Sequence, residues 1–335
     1  MIIHFATYSV ISFVVFFIIS TFSYKLNLVD YPNKRKKHLK ATAYTGGLAL
    51  SIAFIFSILI FDMQGQKLNQ ILSISFLISI VGFIDDKYNL NIGGKLSLQI
   101  LPIIYLIVFE NLKLLEIGNY DFFNLELGSF SIPFTLISAL FLINAFNYFD
   151  GLDGILGTTS ISVLTILIFL ASDQNIKYFL VTMLIPIVIF LCFNFSIFNL
   201  PKLFLGDSGS LLLGTILAFI LIYFGINKIT HPILLAWSIS IFVYEFLSIN
   251  LIRLKNNRHI FQAGFDHLHY IVFKKFNSIS LTNLIIVFLN IFLFLIGYLS
   301  FKLANPFTSL MLFIVLFLIY FTLRSKFNSQ YNSEN

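Results

Sequence analysis

Long, uninterrupted apolar runs separated by short polar segments dominate this sequence. Hydrophobic residues make up 58 % of the 335 residues and charged residues only 11 %, whereas about 25 % of residues are charged in soluble domains. The runs lack the alternation of polar and apolar residues that marks the strands of a membrane barrel. The sequence therefore predicts an all-α, polytopic membrane protein that forms a single domain over residues 1–335 and is embedded in a lipid bilayer.

Eleven apolar segments are candidate membrane-spanning helices. Neither Lys nor Arg precedes the first segment, whereas Lys25 and the basic run 34–37 follow it, which is the wrong charge order for a cleaved signal peptide. We therefore expect a retained first helix with the N-terminus outside. The eleven segments cover residues 2–22, 46–62, 70–84, 96–109, 130–146, 155–171, 178–195, 209–225, 231–251, 283–302 and 306–323.

The distribution of charge supports this orientation. Most Lys and Arg residues fall in the loops, and in the C-terminal tail, that the topology places in the cytoplasm, as the positive-inside rule requires. The net charge of +6 then reports membrane topology and contact with lipid headgroups, and we expect no nucleic-acid partner. The single cysteine, Cys192, lies in an apolar run and excludes an intrachain disulfide.

Four polar motifs interrupt the apolar pattern, and all of them fall at predicted cytoplasmic helix ends. Five aspartates in these motifs would repel one another unless a hard cation with oxygen ligands, Mg²⁺ or Mn²⁺, held them together. A divalent metal beside basic loops is suited to a diphosphate substrate. The five aspartates are Asp85, Asp86, Asp150, Asp153 and Asp207.

Two of the motifs place acidic and amide side chains at regular spacing. Asp85 and Asp86 would point about 100° apart on a helix end, so that one can face a metal and the other a substrate. Alternatively, they form a solvated helix end. In the stretch 144–154, two carboxamides lie three residues apart, and so do two carboxylates, so that each pair can share a helical face. The alternative for this stretch is a polar turn.

The third motif sets Asp207 between two glycines, Gly206 and Gly209, just before an apolar segment. Backbone amides at a helix start can receive phosphate oxygens, and glycines allow a close approach. A simple helix cap by Asp207 explains the pattern equally well.

The fourth motif lies in the segment 252–281, a long loop that we expect to recognise substrate on the cytoplasmic side. Two histidines spaced two apart, without a third ligand nearby, are a weak zinc signal, so contact of His267, His269 and Arg258 with phosphate is the better interpretation. The run 270–276 is apolar with two lysines and is typical of a helix on the membrane surface.

Two further features leave a function open or predict none. Glu245 lies within an apolar segment, where a carboxylate is either functional or paired with a neighbouring basic or polar group. The acidic residues between Glu110 and Glu126 occupy one outer loop, for which we predict a small hairpin without chemistry.

Taken together, the motifs resemble those of the polyprenyl-phosphate N-acetylhexosamine-1-phosphate transferases, glycosyltransferase family 4. The resemblance covers nearly the whole chain and preserves the order of the motifs. It is carried by Asp85-Asp86-Lys87, by Asn144-Ala145-Phe146-Asn147 with Asp150-Gly151-Leu152-Asp153-Gly154, by Phe204-Leu205-Gly206-Asp207-Ser208-Gly209-Ser210, and by His267-Leu268-His269.

The resemblance implies transfer of a sugar-1-phosphate from a UDP-N-acetylhexosamine to undecaprenyl phosphate, with release of UMP and a requirement for Mg²⁺. It places the protein in the bacterial cytoplasmic membrane with the active site on the cytoplasmic side, and it leaves a homodimer open. The GlcNAc-1-phosphate branch, which starts O-antigen, enterobacterial common antigen or teichoic-acid linkage, fits the motifs best. Transfer of another N-acetylhexosamine-1-phosphate, or of phospho-MurNAc-pentapeptide, is the alternative within the family.

The resemblance also implies a role for each candidate residue. Three aspartates are catalytic, and two of them hold the metal. The remaining residues bind the nucleotide, the phosphates or the sugar. The catalytic residues are Asp85, Asp86 and Asp207, the metal ligands are Asp207 and Asp86, and the substrate-binding residues are Asn144, Asn147, Asp150, Asp153, Arg258, His267, His269, Lys37 and Lys95.

The chain departs from the family pattern close to the histidines. Gly264-Phe265 stands where the GlcNAc branch usually has an Asp-Arg pair, Tyr270 where a further histidine is usual, and Ala43 where a proline is common. The identity of the sugar is therefore less constrained than the reaction. A transporter or flippase is the rival from another class, and it predicts interrupted spans and polar residues at mid-depth.

Overall fold

A computed structural model of the protein describes residues 2–31, 41–61, 65–260, 264 and 266–333. These residues form thirteen α-helices and two small two-stranded sheets, which confirms the predicted all-α class. The helices are α1 Ile2–Lys25, α2 Gly46–Phe61, α3 Gln66–Tyr88, α4 Ile92–Val108, α5 Ser131–Phe149, α6 Ile155–Leu170, α7 Gln174–Asn194, α8 Gly206–Ile226, α9 Pro232–Ser238, α10 Ser240–Lys255, α11 Leu268–Phe276, α12 Ile279–Leu303 and α13 Pro306–Ser333.

The number of membrane spans is smaller than the eleven predicted. Among the described residues, α1, α3, α5, α7, α8, α12 and α13 are long and apolar enough to cross a membrane, and the bent pair α9 and α10 is an eighth candidate if the two helices form one span. The three other apolar helices, α2, α4 and α6, have 16 or 17 residues. At 1.5 Å per residue they extend about 25 Å, less than the ~30 Å of a hydrocarbon core. The prediction of eleven spans rests on hydropathy, which identifies an apolar helix but does not compare its length with the thickness of the membrane.

Helix α8 lies at the centre of the bundle. Every residue from Ser208 to Ile222 is buried, and α8 makes its most extensive contacts with α3 and α5. Two glycines allow neighbouring backbones to reach its first turn. A Cβ on Gly82 of α3 would lie 2.4 Å from the Asp207 carbonyl oxygen, and one on Gly47 of α2 would lie 2.0 Å from the Gly209 nitrogen. The first turn of α8 is therefore enclosed by α2 and α3.

The span formed by α9 and α10 is interrupted at Ile239, where the two helices meet at an angle of 73°. Asn290 of α12 is buried at this break, and its amide donates to the Ser238 carbonyl at 3.1 Å and to the Ser162 hydroxyl at 3.0 Å. A side chain from a neighbouring helix thus satisfies a carbonyl that the break exposes, which an apolar environment requires.

The predicted hairpin is confirmed. Strands β3 Glu116–Asn119 and β4 Asn124–Glu126 pair in antiparallel fashion, after an earlier pair, β1 Val29–Asp30 and β2 Thr42–Ala43. The hairpin packs beside the start of α9, where His231 bonds to the Asn119 carbonyl at 2.9 Å. Helix α5 begins near this hairpin end and finishes at the opposite end, where α3 also ends and α8 begins. We call the opposite end the site end.

Candidate active site at the start of helix α8

The start of α8 is held by a carboxylate from the end of α3. Asp86 accepts hydrogen bonds from the Asp207 amide at 2.9 Å and from the Ser208 amide at 3.2 Å, one on each carboxylate oxygen. A helix start leaves such amides without partners in its own helix, so an acceptor there is stabilising. The cap of α8 is therefore Asp86, and the side chain of Asp207 is free for other contacts.

The chain can turn into α8 because residue 206 is a glycine. Gly206 has a φ of +71°, and a Cβ at this position would lie 2.6 Å from an Asp86 carboxylate oxygen. Any other residue would be strained in this conformation and would collide with the capping group. Gly206 thus permits the close contact between the ends of α3 and α8.

Lys95 joins the two remaining catalytic candidates. Its ammonium nitrogen lies 2.7 Å from Asp85 Oδ2 and forms a second, short contact with Asp207 Oδ2. Asp85 also accepts a hydrogen bond from the Leu90 amide at 2.8 Å. The two adjacent aspartates therefore face different partners, Asp85 towards Lys95 and Asp86 towards α8, as their predicted divergence on a helix end requires.

The amide of Asn147 extends this cluster to α5. It donates to Asp207 Oδ1 at 2.9 Å and to the Ser210 hydroxyl at 2.8 Å. Asn144, one turn earlier, instead donates to the Leu140 carbonyl of its own helix at 2.7 Å. The two carboxamides therefore do different things, and Asn147 alone contacts the acidic cluster directly.

Asp150 and Asp153 lie in the turn after α5. The expectation that they share a helical face is wrong, because α5 ends at Phe149 and the chain then turns through Gly154, whose φ is +74°. Burial raises the pKa of Asp150 well above its usual range, and the nearby carboxylates of Asp207, Asp86 and Asp153 raise this pKa further. Asp153, in contrast, forms an ion pair with Lys202 at 2.6 Å.

The two histidines lie beside this turn. His269 is fully buried, its ring stacks on that of His267 at a centroid distance of 5.6 Å, and a Cβ on Gly151 would lie 2.4 Å from its Nε2. Tyr270 donates to the Gly151 carbonyl at 2.9 Å. Burial lowers the pKa of His267 to about 4 and that of His269 to about 3, so both imidazoles are neutral near pH 7.

The segment that carries the histidines is tethered by buried ionic groups. Glu245 accepts a hydrogen bond from the Leu268 amide at 2.8 Å and pairs with Arg324 of α13 at 3.0 Å. Of the two alternatives for this carboxylate, pairing with a basic group is thus the one that the structure supports. Arg253 binds the Asp266 carboxylate at 2.8 Å, and this guanidinium holds the pKa of Asp266 below its usual range despite the opposing effect of burial.

Most of the predicted residues that the structure describes therefore meet at the site end, and Arg258 does not. Arg258 is exposed at the end of the α10 segment, and Lys37 lies outside the described residues, as does Phe265. The residues that the structure brings into the acidic cluster and the adjoining turn are Asp85, Asp86, Lys95, Asn147, Asp150, Asp153 and Asp207.

The donor set of the cluster is suited to a hard cation. Asp85, Asp86, Asp150 and Asp207 are near one another, and Lys95 supplies the ammonium that bridges two of them. Within the described ranges, no three His, Cys, Asp or Glu side chains form a complete metal cage. Mg²⁺ characteristically uses one or two protein carboxylates and takes its remaining ligands from phosphates and water. Asp85 and Asp207 match this pattern, whereas both oxygens of Asp86 already accept amide hydrogens.

Several residues at this end carried no functional prediction. The sequence presents Lys202, Arg253 and Arg324 only as topology signals and Ser210 only as part of the third motif, and it predicts no role for Asp266. An acidic or amide residue at a helix end is conspicuous in an apolar sequence, but its partner comes from a distant segment. The one available signal is energetic: a charged residue in an apolar environment is costly unless it has a partner, so a buried charge predicts that a partner exists.

Comparison with known proteins agrees with this geometry. Residues 68–225 match the family described as Glycosyl transferase family 4. The undecaprenyl-phosphate alpha-N-acetylglucosaminyl 1-phosphate transferase of Yersinia pestis is 27 % identical over 257 residues, which cover 75 % of this chain and 70 % of that protein. The protein of the same name from Escherichia coli (strain K12) is 27 % identical over 258 residues, with the same coverage of both chains.

A relative from a different bacterial group covers more of the chain. The probable undecaprenyl-phosphate N-acetylglucosaminyl 1-phosphate transferase of Bacillus subtilis (strain 168) is 29 % identical over 308 residues, 88 % of this chain and 83 % of that protein. The matched family region contains Asp85, Lys95, Asn147 and Asp207, which converge at the site end. The predicted resemblance to glycosyl transferase family 4 is therefore confirmed by the match over residues 68–225.

Proposed function

We propose that the protein transfers N-acetylglucosamine-1-phosphate from UDP-N-acetylglucosamine to undecaprenyl phosphate, as the first membrane step of a cell-envelope polysaccharide. The observation that carries the proposal is the convergence of Asp85 and Asp207 on Lys95 within the family region. The names of the bacterial relatives support N-acetylglucosaminyl 1-phosphate as the transferred group and undecaprenyl phosphate as the acceptor. In this proposal the site end faces the cytoplasm, where nucleotide sugars are made.

The reaction is a phosphoryl transfer. An oxygen of the lipid phosphate forms a bond to the β-phosphorus of the UDP-sugar, and the bond between this phosphorus and the oxygen bridging to the α-phosphorus breaks. UMP leaves with that bridging oxygen, and the product is a lipid diphosphate that carries the sugar. Because little covalent chemistry falls to the protein, positioning and charge stabilisation are its main contributions.

Asp85 and Asp207 are the carboxylates that we assign to the metal. Bound Mg²⁺ would neutralise the diphosphate and stabilise the charge that develops on the leaving group. Asn147 keeps Asp207 in place through its hydrogen bond, and Asp86 keeps the first turn of α8 in place through the two amides that it caps. Asp86 thus positions Asp207 through the backbone of α8 and does not itself hold the metal.

Lys95 has a role at the same point. Its ammonium neutralises Asp85 and Asp207 and lies where phosphate oxygens would approach these carboxylates. We assign Lys95 to contact the diphosphate, because its ammonium lies between the two aspartates that would hold Mg²⁺. A lysine ammonium is suited to this task because it is a mobile point charge with several donors.

In this proposal the turn after α5 binds the nucleotide, and the histidine segment lies opposite this turn. Asp150 and Asp153, with Asn144 above them, supply acceptors and donors for the nucleoside. His267 and His269 are neutral near pH 7 and can each donate one hydrogen bond to a phosphate or sugar oxygen. Arg258, which is exposed after the end of α10, and Lys37 complete the anion-binding groups of the proposal.

Purified protein tests the proposal directly. With Mg²⁺, undecaprenyl phosphate and UDP-N-acetylglucosamine, we expect release of UMP and formation of a lipid-linked sugar phosphate, both measured by chromatography and mass spectrometry. Asp85→Asn and Asp207→Asn should each reduce turnover at least about 100-fold, as loss of a transition-state charge contact does. A panel of other UDP-N-acetylhexosamines identifies the preferred sugar.

Asp121→Asn is the matched control for these substitutions. Asp121 lies in the hairpin at the other end of the bundle and has a φ of +65°, which asparagine adopts readily. The control should retain full turnover. Absence of turnover with every UDP-N-acetylhexosamine, or full activity of both site variants, contradicts the proposal.

A further inference from the structure

The segment Asp266–His269 is anchored through its backbone by groups outside the acidic cluster. Glu245 accepts a hydrogen bond from the Leu268 amide at 2.8 Å. Arg324 donates a short hydrogen bond to the Asp266 carbonyl oxygen. The two anchored backbone groups flank His267 on either side, so its position along the site is set by these contacts.

Arg324 contacts both the Glu245 carboxylate and the backbone of the segment. Its Nε lies 3.0 Å from Glu245 Oε2 and its Nη2 lies 3.1 Å from Glu245 Oε1, and the same Nη2 reaches Asp266. Tyr320, one turn earlier in α13, donates to Glu245 Oε2 at 2.7 Å. The planar guanidinium thus makes a two-point contact with the carboxylate and one with the backbone, which a lysine ammonium cannot reproduce.

Ring contacts orient the histidines in place of hydrogen bonds, and His269 lies 4.4 Å from the Tyr270 ring and 5.9 Å from the Phe149 ring, measured between centroids. The ring nitrogens of His269 and the Nδ1 of His267 are buried and have no hydrogen-bond partner among the described residues. The rings stack on each other, and His267 also meets the ring of Tyr148 edge-on at 5.1 Å. The ring contacts limit tilt, Arg253 and Tyr270 hold the two flanks of the segment through Asp266 and Gly151, and Glu245 and Arg324 fix its backbone on either side of His267.

We propose that Arg324 of α13 is a positioning residue that fixes the His267–His269 segment against the turn at Gly151 by holding Glu245 and the Asp266 carbonyl together. Its effect on catalysis rests on the proposed function, because it acts through the histidines that we assign to the substrate. The C-terminal helix α13 then helps to position the site, in addition to packing on the bundle as an apolar helix.

Because Glu245 and Arg324 form a buried ion pair, a substitution that keeps the positive charge, Arg324→Lys, is more informative than one that removes it. Loss of all charge at residue 324 would leave the buried Glu245 without its cationic partner, and this loss destabilises the whole fold. Arg324→Lys keeps the positive charge beside Glu245 but cannot contact the carboxylate and the Asp266 carbonyl with the same geometry. This exchange separates charge balance from positioning.

Turnover and histidine reactivity are measured on full-length protein in lipid nanodiscs. Arg324→Lys should lower kcat/KM about 10- to 100-fold, the loss typical of a misplacement of about 1 Å, while the cooperative thermal transition persists. Carbethoxylation by diethyl pyrocarbonate, read by mass spectrometry, should be faster at His269 than in the wild type. Leu323→Ala, an exposed neighbour on the same helix, is the matched control and should change neither readout.

His231 at the hairpin end is the internal reference for the modification experiment. A role confined to the site predicts faster modification at His269 and an unchanged rate at His231. Unchanged kcat/KM in Arg324→Lys, an unchanged rate at His269, or an equal increase at both histidines overturns the proposal. If the wild type turns over no UDP-N-acetylhexosamine, the proposed function fails, and the ratio of the two modification rates still tests the positioning.

Discussion

The side-chain amide of Asn147 lies 2.9 Å from Asp207 Oδ1, and this hydrogen bond joins the end of α5 to the start of α8. The same nitrogen also lies 2.8 Å from the Ser210 hydroxyl, one turn further along α8. Asp207 thereby has a fixed rotamer, with one oxygen directed to Asn147 and the other to Lys95. A carboxylate with so few remaining degrees of freedom is preorganised to hold a cation.

Asn147→Ala should therefore reduce turnover without unfolding the protein. A hydrogen bond to a charged group contributes about 1.5 to 3 kcal/mol, which corresponds to a loss of about 10- to 100-fold. The Mg²⁺ concentration for half-maximal activity should rise as well, because Asp207 loses its orientation. Steady-state kinetics across a Mg²⁺ titration measure both effects. Asn175→Ala, on an exposed position of α7, should have wild-type kinetics, and equal kinetics of Asn147→Ala would contradict the assignment.

Asp150 should make the protein less stable as the pH rises. Its pKa is raised in the folded protein, so the folded state binds more protons than the unfolded state above pH 3.8. The associated stability is present at low pH and is lost as the pH increases towards the raised pKa. Asp150→Asn, which stays neutral, should raise the midpoint of thermal unfolding at pH 8 more than at pH 5.

The comparison is made by following thermal unfolding of both proteins between pH 5 and pH 8 in the same detergent. Asp121→Asn should shift neither curve. A stabilisation that is independent of pH would show that the substitution acts by packing, and the inferred titration of Asp150 would then be wrong.

Gly82→Ala should disrupt the site through the backbone. The added methyl group would lie 2.4 Å from the Asp207 carbonyl oxygen, so α3 and α8 must separate. Overpacking of this kind costs about 1 to 3 kcal/mol and would move Asp86 away from the amides that it caps. We expect lower thermal stability and loss of most turnover. Gly93→Ala is the control, because its Cβ would meet only Asn91 Oδ1, at 3.7 Å.

Asp86→Ala should lower stability more than its position at a helix end would indicate. Removal of the carboxylate leaves the amides of Asp207 and Ser208 without their acceptor, and loss of a helix cap costs about 0.5 to 2 kcal/mol. Asp86→Asn keeps one acceptor oxygen and should lie between the alanine variant and the wild type. The order is measured as the midpoint of unfolding in detergent. A larger loss for the asparagine variant would contradict the capping role.

The sequence predicted well which residues gather at the site end, because acidic and amide residues are conspicuous between apolar runs. Asp85, Asp86 and Asp207 fall at the ends of α3 and α8, and the different directions of the first two follow from helical geometry alone. The family was predicted from the same motifs and is confirmed by the match over residues 68–225. The predicted orientation in the membrane and the roles of individual residues stay predictions.

The ion-pair partners of the site residues could not be predicted, because these contacts join segments that are far apart in sequence. The pairing of Asp153 with Lys202, and of Glu245 with Arg324, cannot be read from local pattern, because no periodicity links residues 49 or 79 positions apart. The excess of predicted spans has a different cause. Hydropathy identifies apolar helices, but whether a helix of 16 residues crosses the membrane depends on its packing against longer neighbours.

The contact between Arg324 and the Asp266 carbonyl has a consequence for biosynthesis. The acidic cluster draws on residues between Asp85 and Ser210, so a ribosome has supplied all of its members long before α13 is made. The histidine segment, however, waits for a helix that leaves the ribosome more than fifty residues later. Maturation of this protein in the membrane should therefore occur in two stages, in which the acidic cluster assembles before the histidine segment is fixed.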